Sequence, residues 1–343
     1  MEQGPIYIGG LDRSGKTTMR AFLASHPNIA IPAVGSNMWS YFYGQYGDLR
    51  ERANFERCLE AMLHYKHVRF LKADPARIRR EFQQGPPTYA HLFSLFLIHY
   101  AERKGKPRWG AQTGLIERYA DQLFASYPGL KIIHMIRDPR DRYEASLARW
   151  PEGKGRAGGA SARWLYSTGL AEQHRQRYPD RYKIVRFETM VEEPEVTLRE
   201  VCTFLNEPFQ PEMLAMPGAP RQRDRLLHGR QLKPGQSPLS TEYIGLFRQK
   251  IPTKEIAFMQ LHAGRKMRAY GYDLESLNFS PFGWISFALI TWPDQMVRMV
   301  AWRTVEAIQQ NFARYLGRKP GSRMIIEEPL SPAPQLEVAS NDG

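Results

Sequence analysis

The sequence predicts an α/β fold, a three-layer P-loop domain with a central parallel sheet flanked by helices, followed by a C-terminal helical extension. Three observations carry this expectation. The apolar run Ile6-Tyr7-Ile8 enters a glycine-rich turn at Gly9-Gly10 and gives way to a helix-like stretch from Lys16 to Ser25. The runs Lys131 to Ile136 (KIIHMI) and Tyr182 to Phe187 (YKIVRF) have the near-continuous apolar pattern of buried strands. Each is followed by a helix signal, and strand–helix alternation of this kind belongs to parallel sheets.

Taken in order, residues 28–34 (NIAIPAV) predict a second strand, followed by Trp39, Tyr41, Phe42, Tyr43 and Tyr46. These aromatics suit either stacking on a sugar or apolar ring, or core packing. Helical patterns fill residues 50–127, broken at Gly85-Pro86-Pro87 and Gly105-Lys106-Pro107. After KIIHMI, Pro139 sits well for the first turn of another helix. A further helix is predicted from Pro194 to Leu205 and a last core helix from Lys254 to Tyr270. Between them, Pro217 to Pro238 reads as a basic loop carrying Arg221, Arg223, Arg225, Arg230 and Lys233 against Asp224 alone.

Beyond Leu277 the character changes. Pro281 to Trp292 is apolar but holds only 12 residues, against the roughly 20 that cross a bilayer. Val297, Val300, Ala301, Val305, Ile308 and Phe312 follow near helical spacing. The expected division is therefore a main domain over 1–277, a helical extension over 278–317 and a disordered tail over 318–343, rich in proline, serine and acidic residues. Residues 281–312 are expected to pack over an acceptor cleft, contact a second subunit or lie on a membrane surface.

Composition narrows the chemistry. The 343 residues hold 48 Lys and Arg against 35 Asp and Glu, a net charge of +13 that favours an anionic partner. With 42% apolar and 12% aromatic residues, wholesale disorder is excluded. Two cysteines, Cys58 and Cys202, exclude a disulfide scaffold and a four-thiolate zinc site. No leader-like N-terminus or long apolar run is present, so the expectation is a reduced, intracellular protein that does not span a membrane.

Gly10-Leu11-Asp12-Arg13-Ser14-Gly15-Lys16-Thr17 fits G-x-x-x-x-G-K-[ST] between a strand and a helix. Glycines let backbone N–H groups converge on phosphate oxygens, and a helix N-terminus and Lys16 add positive charge. A kinase using ATP would also need magnesium, held by Thr17 and an Asp at the end of a second strand. KIIHMI ends instead in Arg137, with Asp138 one residue later, which weakens that alternative.

Four segments in order carry a resemblance. Ile136-Arg137-Asp138-Pro139-Arg140-Asp141 with Ser146 resembles the 3′-phosphate segment of the sulfotransferases that use 3′-phosphoadenosine 5′-phosphosulfate (PAPS). Asp12-Arg13-Ser14-Gly15-Lys16-Thr17-Thr18 is similar to their 5′-phosphosulfate loop, and Arg186 to Val191 with Pro194-Glu195 and Phe204-Leu205 to a third segment. Pro238 to Thr241 with Gly245 and Gly271-Tyr272 resembles the C-terminal end of bacterial members, so the likeness runs from residue 5 to about 275. Lys16 replaces a usual Thr. Ala145 stands where the family has Ser, leaving Ser146 turned by about 100° on a helix.

The resemblance implies an enzyme of P-loop architecture that moves a sulfuryl group from PAPS, without a metal, to a hydroxyl or amine of a carbohydrate, lipid or small molecule. It places Arg13 beside the bridging oxygen of the leaving nucleotide, with Lys16 as a second cation. Ser14, Gly15, Thr17 and Thr18 would hold the 5′-phosphosulfate, Arg137 and Ser146 the 3′-phosphate, and Phe187 the adenine. Arg225 and Arg230 are candidates for closing over the 3′-phosphate. Asp12 is a candidate base or loop brace; His64, His67 and His91 stay unranked. A non-catalytic nucleic-acid- or membrane-binding protein is the rival of another class. Much of the charge is accounted for by donor-binding positions, so no nucleic-acid partner is expected.

Overall fold

Ile6–Gly9 forms strand β1, with every residue buried. In the computed structural model, which describes residues 4–227 and 239–311, β1 lies at the centre of a five-stranded sheet ordered β2-β3-β1-β4-β5. The others are β2 (Ile29–Ala30), β3 (Arg108–Gln112), β4 (Lys131–Ile136) and β5 (Tyr182–Arg186), and every pairing is parallel. Side chains alternate across the sheet. Tyr7 and Ile132 enter a core with Trp39, Phe93 and Leu123, whereas Ile6, Ile8, Ile133 and Met135 enter another with Phe22, Leu198 and Val201. Burial on both faces is why β1 and β4 carry so little polar sequence.

Helix α1 (Lys16–Ala24) follows β1, and the chain then fills β2 and β3 on one side before crossing to β4 and β5 on the other. The sheet thus changes direction beside the C-terminal end of β1, the place where open α/β sheets form a ligand crevice. Pro139–Leu147 and Ala157–Arg177 connect β4 to β5, and Pro194–Leu205 follows β5.

Several expectations change. The predicted strand over 28–34 shortens to Ile29–Ala30. β3 lies inside the stretch read as helical, because Arg-Trp-Gly-Ala-Gln has no strand-like pattern and is recruited by pairing with β1 and β2. The basic stretch after Pro217 contains a helix, Pro220–Leu227. The 21-residue helix Ala157–Arg177 has no counterpart in the sequence reading. The aromatics after β2 are largely core: Trp39 and Phe42 are buried, Tyr43 and Tyr46 pack against them, and Tyr41 is exposed. The expected tail over 318–343 lies outside the described residues.

The C-terminal run consists of Pro281–Ser286, a π turn at Phe287–Thr291 and Trp292–Asn311. It packs on Ala157–Arg177. At the crossing a Cβ on Gly158 would lie 1.9 Å from the Gln295 carbonyl oxygen, so only glycine fits, and the Gly158 N–H donates to Gln295 Oε1 at 2.8 Å. Among the described residues no helix is long and apolar enough to cross a membrane.

Candidate active site

The loop from β1 to α1 is shaped by its own residues. Gly15 has φ 90°, and a Cβ there would lie 2.6 Å from the Phe187 ring, so glycine alone can begin the helix here. The buried Lys16 turns back: Nζ donates to the Gly10 carbonyl at 2.7 Å and to Asp12 Oδ1 at 3.1 Å. That ion pair holds the Asp12 carboxyl below the usual carboxylate range. Arg13 is exposed, has φ 70°, and donates from Nε to the Ala145 carbonyl at 3.0 Å. Ser14 and Thr18 are buried. Thr17 is exposed, and its hydroxyl accepts from Gln112 Nε2 at 3.3 Å, so the end of β3 flanks the loop.

Arg137 directly follows β4 on the other side of this loop. It is buried, donates to the Arg13 carbonyl at 3.3 Å and the Tyr243 carbonyl at 2.6 Å, and lies 4.5 Å over the Phe187 ring. Burial lowers its pKa, and its buried Nε has no hydrogen-bond partner among the described residues. Arg142, one turn into the next helix, is also buried and donates to the Asp12 carbonyl at 3.4 Å. Burial and the nearby Arg163 push its pKa down to about 10. A group of guanidiniums therefore faces one loop. Such a group is costly to assemble without an anion to offset it.

The remaining segments brace this geometry. Asp138 caps the Pro139–Leu147 helix by accepting from the Arg140 N–H at 2.9 Å, and it pairs with the Arg140 guanidinium at 2.6 Å. Glu188 accepts from the Asp138 N–H at 2.8 Å, and burial raises its pKa. Asp141 accepts from the Gly245 and Phe247 N–H groups at 2.6 and 3.1 Å, which docks the chain after Ser240. Beneath the loop, the buried Glu117 accepts from the Gly10 N–H at 3.4 Å and from the Ser167 hydroxyl. His134 lies 2.8 Å from the Tyr182 hydroxyl and 3.4 Å from that of Ser167.

A family profile described as "Sulfotransferase family" matches residues 5–211, more than half of the chain and all the strands. The chain belongs to the sulfotransferase family. Among relatives, it is 24% identical over 218 residues to a protein-tyrosine sulfotransferase of Drosophila melanogaster; the match covers 61% of this chain and 39% of that protein. Among solved structures, the sulfotransferase domain of the Synechococcus PCC 7002 olefin synthase superposes with a TM-score of 0.53 at 20% identity. That superposition covers 79% of this chain and 95% of that domain, and shows the shared fold. The sulfotransferase domain from the curacin biosynthetic pathway gives a TM-score of 0.47 at 17% identity, over 79% and 99% of the two chains.

In this sulfotransferase-family chain, Asp12 to Thr18, Arg137 and Phe187 come together around the end of β1. Phe187 is buried beneath Gly15 and Arg137, which leaves much of its ring as core. The Ser146 hydroxyl donates to the Arg142 carbonyl of its own helix at 2.8 Å, so the displaced register turns it back on the backbone. Arg225 is exposed on the Pro220–Leu227 helix, and Arg230 lies outside the described residues. His67 contacts the Gly35 carbonyl at 2.8 Å, His91 stacks on Phe82, and His64 is exposed. Sequence reasoning passed over Arg142, Arg163 and Glu117. Arg142 had a signal, its place five residues after Arg137 on a helix opened by Pro139; Arg163 and Glu117 had none.

Proposed function

We propose that the chain is a PAPS-dependent sulfotransferase that acts in the cytoplasm on a hydroxyl or amine acceptor of a carbohydrate, lipid or small molecule. The observation that carries this reading is the group of Arg13, Arg137 and Arg142 around a glycine-shaped loop at the sheet's change of direction. The buried Nε atoms of Arg137 and Arg142, without a partner among the described residues, suit a polyanionic nucleotide. We further take residues up to 277 as the transferase domain and the helices from Pro281 as an extension of it.

PAPS supplies the sulfuryl group; the chain's residues bind and orient it. Ser14, Gly15, Lys16, Thr17 and Thr18 would hold the 5′-phosphosulfate at the α1 N-terminus. Arg137 would take the 3′-phosphate in a two-pronged contact, with Arg225 and Arg230 as further cations, while Ser146, its one donor spent on the Arg142 carbonyl, takes no part. Arg13 is exposed and held at the loop by one hydrogen bond to Ala145, leaving its terminal nitrogens for negative charge developing on the leaving oxygen. Asp12 is assigned the role of brace rather than base, because Lys16 engages its carboxylate and depresses its basicity. The kinase alternative loses its metal ligand, since Asp138 is committed to the helix cap and Arg140.

Two measurements test the reading. Calorimetry should show tight binding of adenosine 3′,5′-diphosphate and weak binding of ATP with magnesium. Radiolabelled sulfate transfer from PAPS should then appear with at least one acceptor in a panel of sugars, lipids and phenols. Preference for ATP with magnesium would overturn it.

A further inference from the structure

The helical run from Pro281 to Asn311 is apolar on two opposite faces. One packs into the protein: Phe287 and Met299 are buried with Ala162 and Phe258, and Glu306 pairs with Arg118. The other meets solvent. Phe282 is 79% exposed, Leu289 73%, Val297 68%, Val300 52% and Ile308 40%. Positions 289, 293, 297, 300, 304 and 308 recur at helical spacing and read Leu, Pro, Val, Val, Thr and Ile. At 1.5 Å per residue the stripe from 282 to 308 is about 40 Å long. A water-facing stripe is ordinarily polar, and an apolar one of this extent marks a binding surface.

Charge decides what it binds. The stripe carries no carboxylate; Asp294 lies beside it and pairs with Arg298 at 2.9 Å. The sequence after the helix reads Arg314, Arg318, Lys319 and Arg323 before the next acid, Glu327, in a chain of net charge +13. Two copies of a chain of net charge +13 repel each other, whereas an anionic lipid surface complements both the apolar stripe and the net positive charge. We propose that the helical run Pro281–Asn311 lies in the plane of a membrane surface containing anionic lipid, its exposed apolar stripe inserted and the chain's net positive charge adding attraction.

The test is flotation of the full chain with vesicles of phosphatidylcholine alone or mixed with phosphatidylglycerol. The expected result is binding to mixed vesicles at least about tenfold tighter than to neutral ones. The double variant Leu289→Gln, Val297→Gln should lose at least about tenfold in vesicle affinity while melting like wild type, because both side chains face solvent. Failure to bind mixed vesicles, equal binding to neutral vesicles, or undiminished binding by the variant would each overturn the proposal. So would sedimentation showing a dimer that the same substitutions dissociate, which would assign the stripe to a second copy.

Discussion

Arg137 and Arg13 are joined through the main chain: the Arg137 guanidinium donates to the Arg13 carbonyl at 3.3 Å while its other arm reaches the Tyr243 carbonyl at 2.6 Å. Arg13 holds the left-handed φ of 70°, a conformation that costs about 1–3 kcal/mol unless its surroundings impose it. The side chain proposed for the 3′-phosphate thus helps set the backbone that presents Arg13.

Arg137→Ala should weaken adenosine 3′,5′-diphosphate by about 2–3 kcal/mol, since a charge-assisted, two-pronged contact is removed. Adenosine 5′-phosphosulfate, which lacks the 3′-phosphate, should lose much less. Calorimetry with both nucleotides on both proteins gives the comparison, and equal losses would sink the assignment.

Arg13→Ala tests the proposed catalytic cation. Because the side chain is exposed, stability should change by no more than about 0.5 kcal/mol. The turnover number should fall by about 10²–10³-fold with little change in donor affinity, as when one donor to a developing oxyanion is removed. A thermal melt and a radiolabelled transfer assay on the same preparation separate the two effects.

Arg140 is a structural counterpart. It is buried, paired with Asp138, bound to the Asp273 carbonyl at 2.7 Å and placed 4.1 Å over the Phe247 ring. Arg140→Ala would leave Asp138 with an uncompensated buried charge and should cost about 3–5 kcal/mol. Chemical denaturation measures this directly; a loss below about 1 kcal/mol would show that Asp138 finds another partner.

His134 predicts a pH dependence. Burial lowers its pKa from 6.5, the charges of Lys16 and His174 act in the same direction, and Glu117 opposes them. Its neutral form is therefore the folded one. The stability it contributes is complete above about 6.5, the unfolded value, and is lost as pH falls from there through the lower folded value. His67 and His262 are lowered as well, so His134→Asn should flatten the slope below pH 6.5 only in part. Denaturation midpoints of wild type and variant across that range would reveal it; identical slopes would show that His134 binds protons equally in the folded and unfolded states.

The sequence by itself determined the strands β1, β4 and β5, the helices that follow them and the loop from Gly10 to Thr17. Strands buried on both faces must be nearly continuously apolar, and a tight strand-to-helix turn needs glycine where φ is positive, so both leave local marks. Only the tertiary structure decided the rest. β3 is a strand because Arg108–Gln112 pairs with β1 and β2, although its own pattern contains no such instruction. Arg142 and Arg163 act on Asp12, and Glu117 reaches the Gly10 N–H across 107 residues, because strand order brings distant segments to one sheet end. Periodicity reports which face of an element is buried; it carries no information about which distant element covers that face, and the site is assembled from such coverings.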